Sequence, residues 1–345
     1  MTQAKETEYS SYVLAGDIGG TSARLGVFRP GEKRPSAVET ATFESGKAKD
    51  LEQIIEEMIE RRPEKIEAAC FGIAGPVIDG EVRTTNLPWE VSEQKLKGHF
   101  SWNHVRLLND LAAAALAVPL LEDDELFSLN GLRVKPKRNI ALVAPGTGLG
   151  QALLVFLKGR YVPVNSEGGH VDFAPADKEE FDLFEHLREK FGHVSVERVA
   201  SGMGLADIYH WMKSRSIHQE SPRILDEINA HGGDPAPIIT EHAIAGDDPL
   251  CRATLEQFCR TLGAVAGNVA LTYMATGGLL LGGGIPPKIL PFLQKSHFMK
   301  AFINKGRFSE FLEKIPVLVI LNEQTALLGA AHAASEMWKS EHSAR

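Results

Sequence analysis

The sequence has few cysteines, no long apolar run and no excess of basic residues. Its three cysteines, Cys70, Cys251 and Cys259, are scattered and lack the spacing of zinc ligands. Unpaired thiols are typical of a reducing compartment, so we expect a cytoplasmic protein. No stretch approaches the ~18 consecutive apolar residues of a transmembrane helix, and residues 1–10 lack the apolar segment of a signal peptide. We therefore expect no membrane partner.

Basic residues are outnumbered, with 37 Lys and Arg against 45 Asp and Glu in 345 residues, which gives a net charge of −8. This balance argues against a surface that binds nucleic acid or an anionic membrane. It does not exclude a small anion, because backbone N–H groups can hold a phosphate without net basic charge. An anionic ligand would then depend on backbone and metal rather than on a basic surface.

Two common nucleotide-binding patterns are also missing, since neither G-x-x-x-x-G-K-[S/T] nor a strict G-x-G-x-x-G after a strand occurs. Glycine, in contrast, is abundant: the chain has 32, where average usage of ~7% predicts about 24. Many of them cluster in short turns. A tight Gly/Thr turn with free N–H groups can surround a phosphate, because glycine has no Cβ to obstruct it.

The first half of the chain alternates strand and helix patterns. Apolar runs at Tyr12–Asp17 and Ser22–Phe28 flank Gly19-Gly20 and predict a β-hairpin. Leu51, Ile54, Ile55 and Met58 have helical spacing. The predicted elements that follow the hairpin are a helix at Ala48–Arg62 ended by Pro63, strands at Ile66–Ile73 and Val105–Leu108, and a helix at Leu111–Val118. This order indicates an α/β fold whose sheet is mixed because of the hairpin.

The second half, from about Pro136, repeats the opening arrangement. A strand at Ile140–Ala144 leads through the turn Pro145–Gly150 into a strand at Gln151–Leu157. The two Gly/Thr turns are about a domain's length apart, which favours a duplicated unit that binds a nucleotide between two domains. The remaining predictions are mostly helical sequence at 177–274, strands at Leu279–Leu281 and Val317–Leu321, a helix opened by Pro286-Pro287 and a last helix at Thr325–Trp338.

Polar residues at the ends of these strands are candidates for chemistry. Asp17 ends the first strand and is either a turn-capping carboxylate or an anchor for Mg²⁺ through water. Asn109-Asp110 lies between a strand and a helix, where an N-cap is the simple interpretation. Ligands collect at strand ends in α/β sheets, however, and a carboxylate there can accept the proton of a hydroxyl.

Two further polar groups lie in the second half. Glu167-Gly168-Gly169-His170 is either a polar turn or a pair of hydrogen-bonding side chains, suited to a polyhydroxylated ligand, around a flexible pair of glycines. Glu197, considered alone, fits an exposed helical position.

The sequence resembles bacterial ATP-dependent glucokinases of the hexokinase–actin superfamily, outside the zinc-containing repressor/kinase (ROK) branch. The resemblance extends from about Val13 to His332. The motifs that carry it, in order, are Gly16–Thr21, Ala23-Arg24-Leu25, Asn86–Trp89, Leu108-Asn109-Asp110, Pro145–Gly150, Glu167–Phe173, Glu197-Arg198 with Ser201-Gly202, Gly282–Ile285 and Lys305–Phe308.

This resemblance implies a role for each candidate. It implies that Asp110 is the catalytic base and that the sugar hydroxyls are bound by Asn109, Glu167, His170 and Glu197. The residues implied to bind ATP are Gly16, Asp17, Ile18, Gly19, Gly20 and Thr21 in one loop, Gly146, Thr147 and Gly148 in another, and Gly283 on the adenosine side.

The resemblance also implies an α/β, two-domain actin-like ATPase (ribonuclease H-like) fold with mixed sheets and a sugar cleft between domains. The expected small domain comprises residues 1–120 and 322–345, and the large domain 121–321. The implied activity is transfer of the ATP γ-phosphoryl to the 6-hydroxyl of D-glucose with Mg²⁺, by a homodimer. Three alternatives stay open: a kinase for another hexose, a catalytically inactive sugar-responsive regulator, and an actin-like or chaperone-type ATPase.

Overall fold

The computed structural model describes residues 11–61, 65–84, 87–216 and 218–342. Arg62 and Pro63, the predicted end of the first helix, lie outside these ranges, as does Asn86. The strands are β1 (Tyr12–Ile18), β2 (Ser22–Arg29), β3 (Ser36–Glu44), β4 (Ile66–Ile73), β5 (Glu81–Arg83), β6 (Glu90–Ser92), β7 (His104–Asn109), β8 (Leu126–Ser128), β9 (Ile140–Pro145), β10 (Leu149–Leu157), β11 (Arg160–Ser166), β12 (Gly278–Leu281) and β13 (Val317–Ile320).

The helices include one long member, α9, and several short ones. They are α1 (Leu51–Arg61), α2 (Glu93–Phe100), α3 (Asp110–Ala117), α4 (Lys178–Phe191), α5 (Glu197–Ala200), α6 (Gly202–Ser214), α7 (Pro222–Ala230), α8 (Ala236–Ala245), α9 (Pro249–Thr272), α10 (Leu290–Leu293), α11 (Phe298–Ile303), α12 (Ser309–Glu313) and α13 (Thr325–His342). Within the described ranges, no helix is both long enough and apolar enough to cross a membrane.

The chain divides into two compact units by its internal contacts. One unit ends at Leu121 and resumes at Gln324, and the other comprises Glu122–Glu323. A division by contacts describes compactness and not independent folding, so the domain boundaries expected from the sequence stay a prediction.

The first unit contains a mixed five-stranded sheet in the order β3-β2-β1-β4-β7. The predicted hairpin is present: β1 pairs with β2 antiparallel, with Asp17 opposite Arg24. Strands β1, β4 and β7 are mutually parallel. The predicted apolar face of α1 is buried in the core of this unit, as the spacing of its apolar residues requires.

The second unit contains a six-stranded sheet in the order β11-β10-β9-β12-β13-β8. Its β9–β10 hairpin repeats the β1–β2 arrangement, and β12 lies parallel to β9. The helix predicted to open at Pro286-Pro287 is wrong. The N–H groups of Lys288 and Ile289 both donate to Ile285 O in a turn, and α10 begins only at Leu290, because a proline disfavours helical backbone in the residue before it, here both Ile285 and Pro286.

Helices α3 and α13 pack closely in the first unit because both carry small residues at their contact. A Cβ added to Gly329 would overlap the Ala113 carbonyl oxygen and would lie 3.2 Å from Ala117 N. Side chains at a helix contact set the distance between the axes. The glycine at 329 therefore holds α13 against the helix that begins at Asp110.

Gly329→Ala is expected to lower the free energy of unfolding by about 1–3 kcal/mol, because the added methyl group must displace backbone atoms. Urea unfolding followed by circular dichroism measures this loss. Gly98→Ala is the matched control, since a Cβ at that helical glycine would contact nothing within 4 Å. Equal stability of the two variants would contradict the close packing at Gly329.

Candidate active site

The carboxyl ends of three parallel strands meet at one edge of the first sheet. Ile18 at the end of β1 lies beside Ile73 of β4, which in turn lies beside Asn109 of β7. Asp17 is one residue before this row and Asp110 is one residue after it. The structure therefore brings the predicted metal anchor and the predicted base to the same sheet edge, where α/β folds bind their ligands.

Asn109 is the N-cap of α3. Its Oδ1 accepts hydrogen bonds from Leu111 N (3.0 Å) and Ala112 N (3.3 Å), and its Nδ2 donates to Gly75 O (3.1 Å). An amide group has a second N–H, and a hydrogen bond from the Asn109 side chain to the Asp110 carboxyl lowers the pKa of that carboxyl. The N-cap interpretation is confirmed, and it is compatible with the expected role in sugar binding.

Asp110 is the first residue of α3 and is half-buried. Burial raises the pKa of its carboxyl to about 6; the hydrogen bond from Leu111 N (2.9 Å) opposes this rise, and the negative charge of Asp17 adds to it. A carboxyl with a pKa near the working pH is suited to accept a proton as a general base.

Asp17 is also half-buried, and burial raises the pKa of its carboxyl, with Arg24 opposing the rise. The turn after it, between β1 and β2, is fixed by the buried Ser45, whose Oγ donates to Gly19 O (2.8 Å). Within the described part of the chain, the N–H groups of Gly20 and Thr21 donate no hydrogen bond. The first Gly/Thr turn thus has the free N–H groups that phosphate binding requires.

The second Gly/Thr turn, between β9 and β10, has the same property. Gly146 N donates to Gly148 O (2.8 Å), while Gly146 O accepts from Gly202 N at the start of α6 (2.8 Å). Across the ranges that the structure describes, the N–H groups of Thr147 and Gly148 donate no hydrogen bond. Gly283, at a φ of +76°, packs against this turn so closely that a Cβ would overlap Pro145 O. Two of the predicted ATP loops are therefore neighbours.

Glu197 adjoins the same turn. Its Oε2 accepts a hydrogen bond from Leu149 N (2.9 Å), and a Cβ on Gly148 would overlap that oxygen. The side chain is half-buried at the start of α5. The exposed helical position that Glu197 suggests when considered alone is therefore wrong.

Glu167 and His170 are exposed residues at the two ends of one turn, in which His170 N donates to Glu167 O (3.0 Å). The glycines between them were expected to be a flexible pair, and they instead allow close packing on β10. A Cβ on Gly168 would overlap Gln151 Oε1, and one on Gly169 would overlap Leu149 O. The segment is thus fixed beside the residues that contact Glu197.

A cavity of about 940 Å³ opens next to the second Gly/Thr turn. Apolar and cationic side chains line it together, among them Met203, Ile285 and Arg198. The Arg198 guanidinium lies 3.9 Å from the centroid of the Phe191 ring. Arg198 has no predicted role of its own, although it directly follows Glu197 in a motif of the resemblance.

Comparison with known proteins identifies the family. Residues 14–337 match the model of the Glucokinase family. A glucokinase of Trichormus variabilis is 37% identical over 339 residues, covering 94% of this chain and 99% of that protein. The chain belongs to the glucokinase family.

Solved structures agree with this assignment. The crystal structure of a glucokinase from an Antarctic psychrotroph is 33% identical, with a TM-score of 0.84 over 94% of this chain and 99% of that one. A ROK-family glucokinase from Streptomyces griseus, in complex with glucose and AMPPNP, shares the fold at 21% identity, with a TM-score of 0.62 over 94% and 99% of the two chains.

Membership in the glucokinase family confirms several predictions made from the sequence. The resemblance, the α/β actin-like ATPase fold and the ATP-dependent hexose kinase activity are confirmed. The roles of individual site residues remain predictions.

The donor set at the first sheet edge fits Mg²⁺. Two carboxylates, Asp17 and Asp110, lie close enough for the negative charge of Asp17 to raise the pKa of Asp110, and oxygen is the ligand that Mg²⁺ prefers. Among the described residues no group of three or more His, Cys, Asp or Glu side chains could hold a metal ion. An ion that keeps several waters and binds nucleotide phosphates suits so small a donor set.

Proposed function

We propose that this chain transfers the γ-phosphoryl group of ATP to the 6-hydroxyl of D-glucose, giving glucose 6-phosphate and ADP. The observation that carries the proposal is the half-buried Asp110 carboxyl, whose pKa of about 6 leaves it ionised and basic at neutral pH. An ATPase without a sugar acceptor has no need of Glu167 and His170 together with Asn109-Asp110, which favours the kinase over an actin-like or chaperone-type ATPase.

Asp110 acts as the base in the transfer. The oxygen of the 6-hydroxyl forms a bond to the γ-phosphorus as the bond from that phosphorus to the β–γ bridging oxygen breaks, and the hydroxyl proton passes to the Asp110 carboxylate. Phosphoryl transfer goes through a loose transition state, so the protein contributes mainly by positioning and charge stabilisation. A base of modest strength is sufficient, because the alcohol becomes acidic only as the transfer proceeds.

Four side chains bind the sugar hydroxyls in this proposal: Asn109, Glu167, His170 and Glu197. Asn109 contributes its side-chain amide, which also caps α3 and lies beside the Asp110 carboxyl. Glu197 uses one carboxylate oxygen for Leu149 N, so its other oxygen remains for a hydroxyl. Carboxylates accept hydrogen bonds and an imidazole can donate or accept one, so together they match the hydroxyl groups of a neutral polyol.

The two Gly/Thr turns bind the phosphates of ATP through backbone N–H groups. The first comprises Gly16–Thr21 and the second comprises Gly146, Thr147 and Gly148. The cavity beside the second turn, with Gly283 adjacent, takes the adenosine. Arg198 adds a cationic side chain to the backbone donors that the sequence alone predicts.

Asp17 would hold, through water, the Mg²⁺ that accompanies ATP. When bound, the ion neutralises charge on the phosphates. The protein's own contribution is the half-buried Asp17 carboxylate at the sheet edge. A homodimer and a cytoplasmic location, both expected from the sequence, belong to the same proposal.

The deciding experiment measures ADP release by the purified full chain with ATP and Mg²⁺, with and without sugar. We expect ADP release to depend strictly on added glucose, and the product to reduce NADP⁺ in a coupled glucose-6-phosphate dehydrogenase assay. Fructose, mannose and N-acetylglucosamine in parallel test the kinase for another hexose. ADP release without sugar would favour the ATPase, and sugar binding without turnover would favour the inactive regulator.

A further inference from the structure

Gln151 lies directly against the segment that carries two of the proposed sugar ligands. It pairs across the β10–β11 ladder with Ser166, and side chains of such a pair lie on the same face of the sheet. Both contact Gly168: Ser166 Oγ accepts from Gly168 N (3.0 Å), and Gln151 Oε1 occupies the space that a Cβ of residue 168 would take. Gly168 lies between Glu167 and His170.

The two members of this pair differ in how their polar groups are satisfied. Ser166 Oγ has two partners, Gly168 N and the Tyr273 hydroxyl (2.9 Å). Gln151 is only 5% exposed, yet within the described residues its amide forms no hydrogen bond. Its amide atoms are not fully enclosed, because among the described residues the fully buried side-chain polar atom without a partner is His332 Nδ1. The unpaired amide can therefore meet a molecule that enters from solvent.

A second buried glutamine, to which no binding role is assigned, provides a comparison. Gln257 is 3% exposed, and its Nε2 donates to Glu180 Oε1 (3.2 Å) and Thr261 Oγ1 (2.9 Å). The amide of Gln151 lacks any such set of partners and lies against the Glu167–His170 turn. A neutral amide, which both donates and accepts, matches a hydroxyl group rather than a charged one.

We propose that Gln151 is a further sugar-binding residue, whose amide hydrogen-bonds to one hydroxyl of the hexose held by Glu167 and His170. This inference rests on the proposed function, because it requires a sugar at that turn. It makes Gln151 a determinant of which hexoses are accepted: a site built to hydrogen-bond a hydroxyl discriminates against a sugar that lacks it.

The test combines Gln151→Met with a series of deoxyglucoses, each lacking one hydroxyl. Methionine has a similar length and keeps the packing on Gly168 while removing both polar atoms. We expect kcat/KM for glucose to fall roughly tenfold, the effect of one hydrogen bond to a neutral group, with the KM for ATP unchanged. With the one deoxyglucose that lacks the partner hydroxyl, the same substitution should change kcat/KM less than twofold.

Controls separate this role from packing and from failure of the proposed function. Gln294→Met, at an exposed position, should change nothing, and Gln151→Glu, which keeps an acceptor, provides a second variant if Gln151→Met does not fold. An equal loss for every deoxy sugar, or no loss for glucose with either variant, would overturn the proposal. Failure of the wild-type chain to phosphorylate glucose would instead overturn the proposed function.

Discussion

Replacing Asp110 by Asn is expected to lower kcat by roughly 10³-fold, the scale of general-base catalysis, while glucose still binds. Asparagine has the same shape and retains an oxygen to accept from Leu111 N, which Asp110 Oδ1 does at 2.9 Å. The substitution therefore removes proton acceptance and preserves the start of α3. Steady-state kinetics give kcat, and calorimetry with glucose gives the dissociation constant.

The stability of this variant provides an internal control. Burial raises the pKa of Asp110 to about 6, which means that the fold disfavours the ionised form relative to the unfolded chain. A neutral Asn should therefore give a Tm at pH 7.5 no lower than that of the wild type. A large loss of turnover with an unchanged or higher Tm assigns the loss to chemistry. Turnover near the wild-type value would overturn the assignment of Asp110 as the base.

The same pKa sets the pH dependence of the wild type. The base acts in its ionised form, so kcat/KM should be level above about pH 7 and should fall as pH drops through about 6. The fall should approach tenfold per pH unit below that value. A profile level down to pH 4.5 would contradict the raised pKa of Asp110, since that behaviour requires a pKa near the ordinary value for aspartate.

The positions of the polar residues along the chain explain why the candidates at the edge of the first sheet could be predicted. Parallel strands in an α/β sheet end at the same edge, so polar residues that directly follow two such strands must lie near each other. Asp17 is a candidate because it ends a predicted strand before the Gly/Thr turn, and Asn109-Asp110 because it follows one directly. The structure adds what spacing cannot supply, namely that the Asn109 amide is used for the N-cap and that Asp17 influences the charge state of Asp110.

The elements that the sequence analysis missed have weak patterns for physical reasons. Strands β3 and β11 are the edge strands of their sheets, and most of their residues are at least partly exposed. An edge strand needs no continuous apolar run, and β11 even tolerates Pro163, which a central strand would not. Helix α2 buries only Leu96, so it has almost no periodic apolar face to detect.

The contacts around Leu149 could not be predicted from spacing because they join distant segments. Glu197 is 48 residues from Leu149, its hydrogen-bond partner. The turn that carries Glu167 and His170 packs on the same strand through glycines whose need for close approach is visible only in three dimensions. Gln151 belongs to none of the motifs named above. A single glutamine within a strand carries no sequence signal that distinguishes a binding residue from any other polar residue.

Glu197→Ala is expected to lower kcat/KM for glucose by on the order of 10²–10³-fold, because it removes two interactions at once. One is the proposed hydrogen bond to a sugar hydroxyl, and the other is the acceptor for Leu149 N at 2.9 Å. Hydrogen bonds to a charged group are worth more than neutral ones. Loss of the second interaction leaves the Gly146–Leu149 backbone less fixed, so the KM for ATP should rise as well.

Glu197→Gln separates the two interactions. Glutamine keeps an oxygen for Leu149 N, so we expect the KM for ATP to stay within about twofold while kcat/KM for glucose falls about tenfold. Glu189→Ala, at an exposed position in α4, is the control for removing one glutamate charge from the chain. If the alanine and glutamine variants changed glucose kinetics equally and ATP kinetics not at all, the bond to Leu149 would have no part in ATP binding. The contrast therefore tests whether one carboxylate serves both substrates, with one oxygen on the sugar and the other on the turn that binds phosphate.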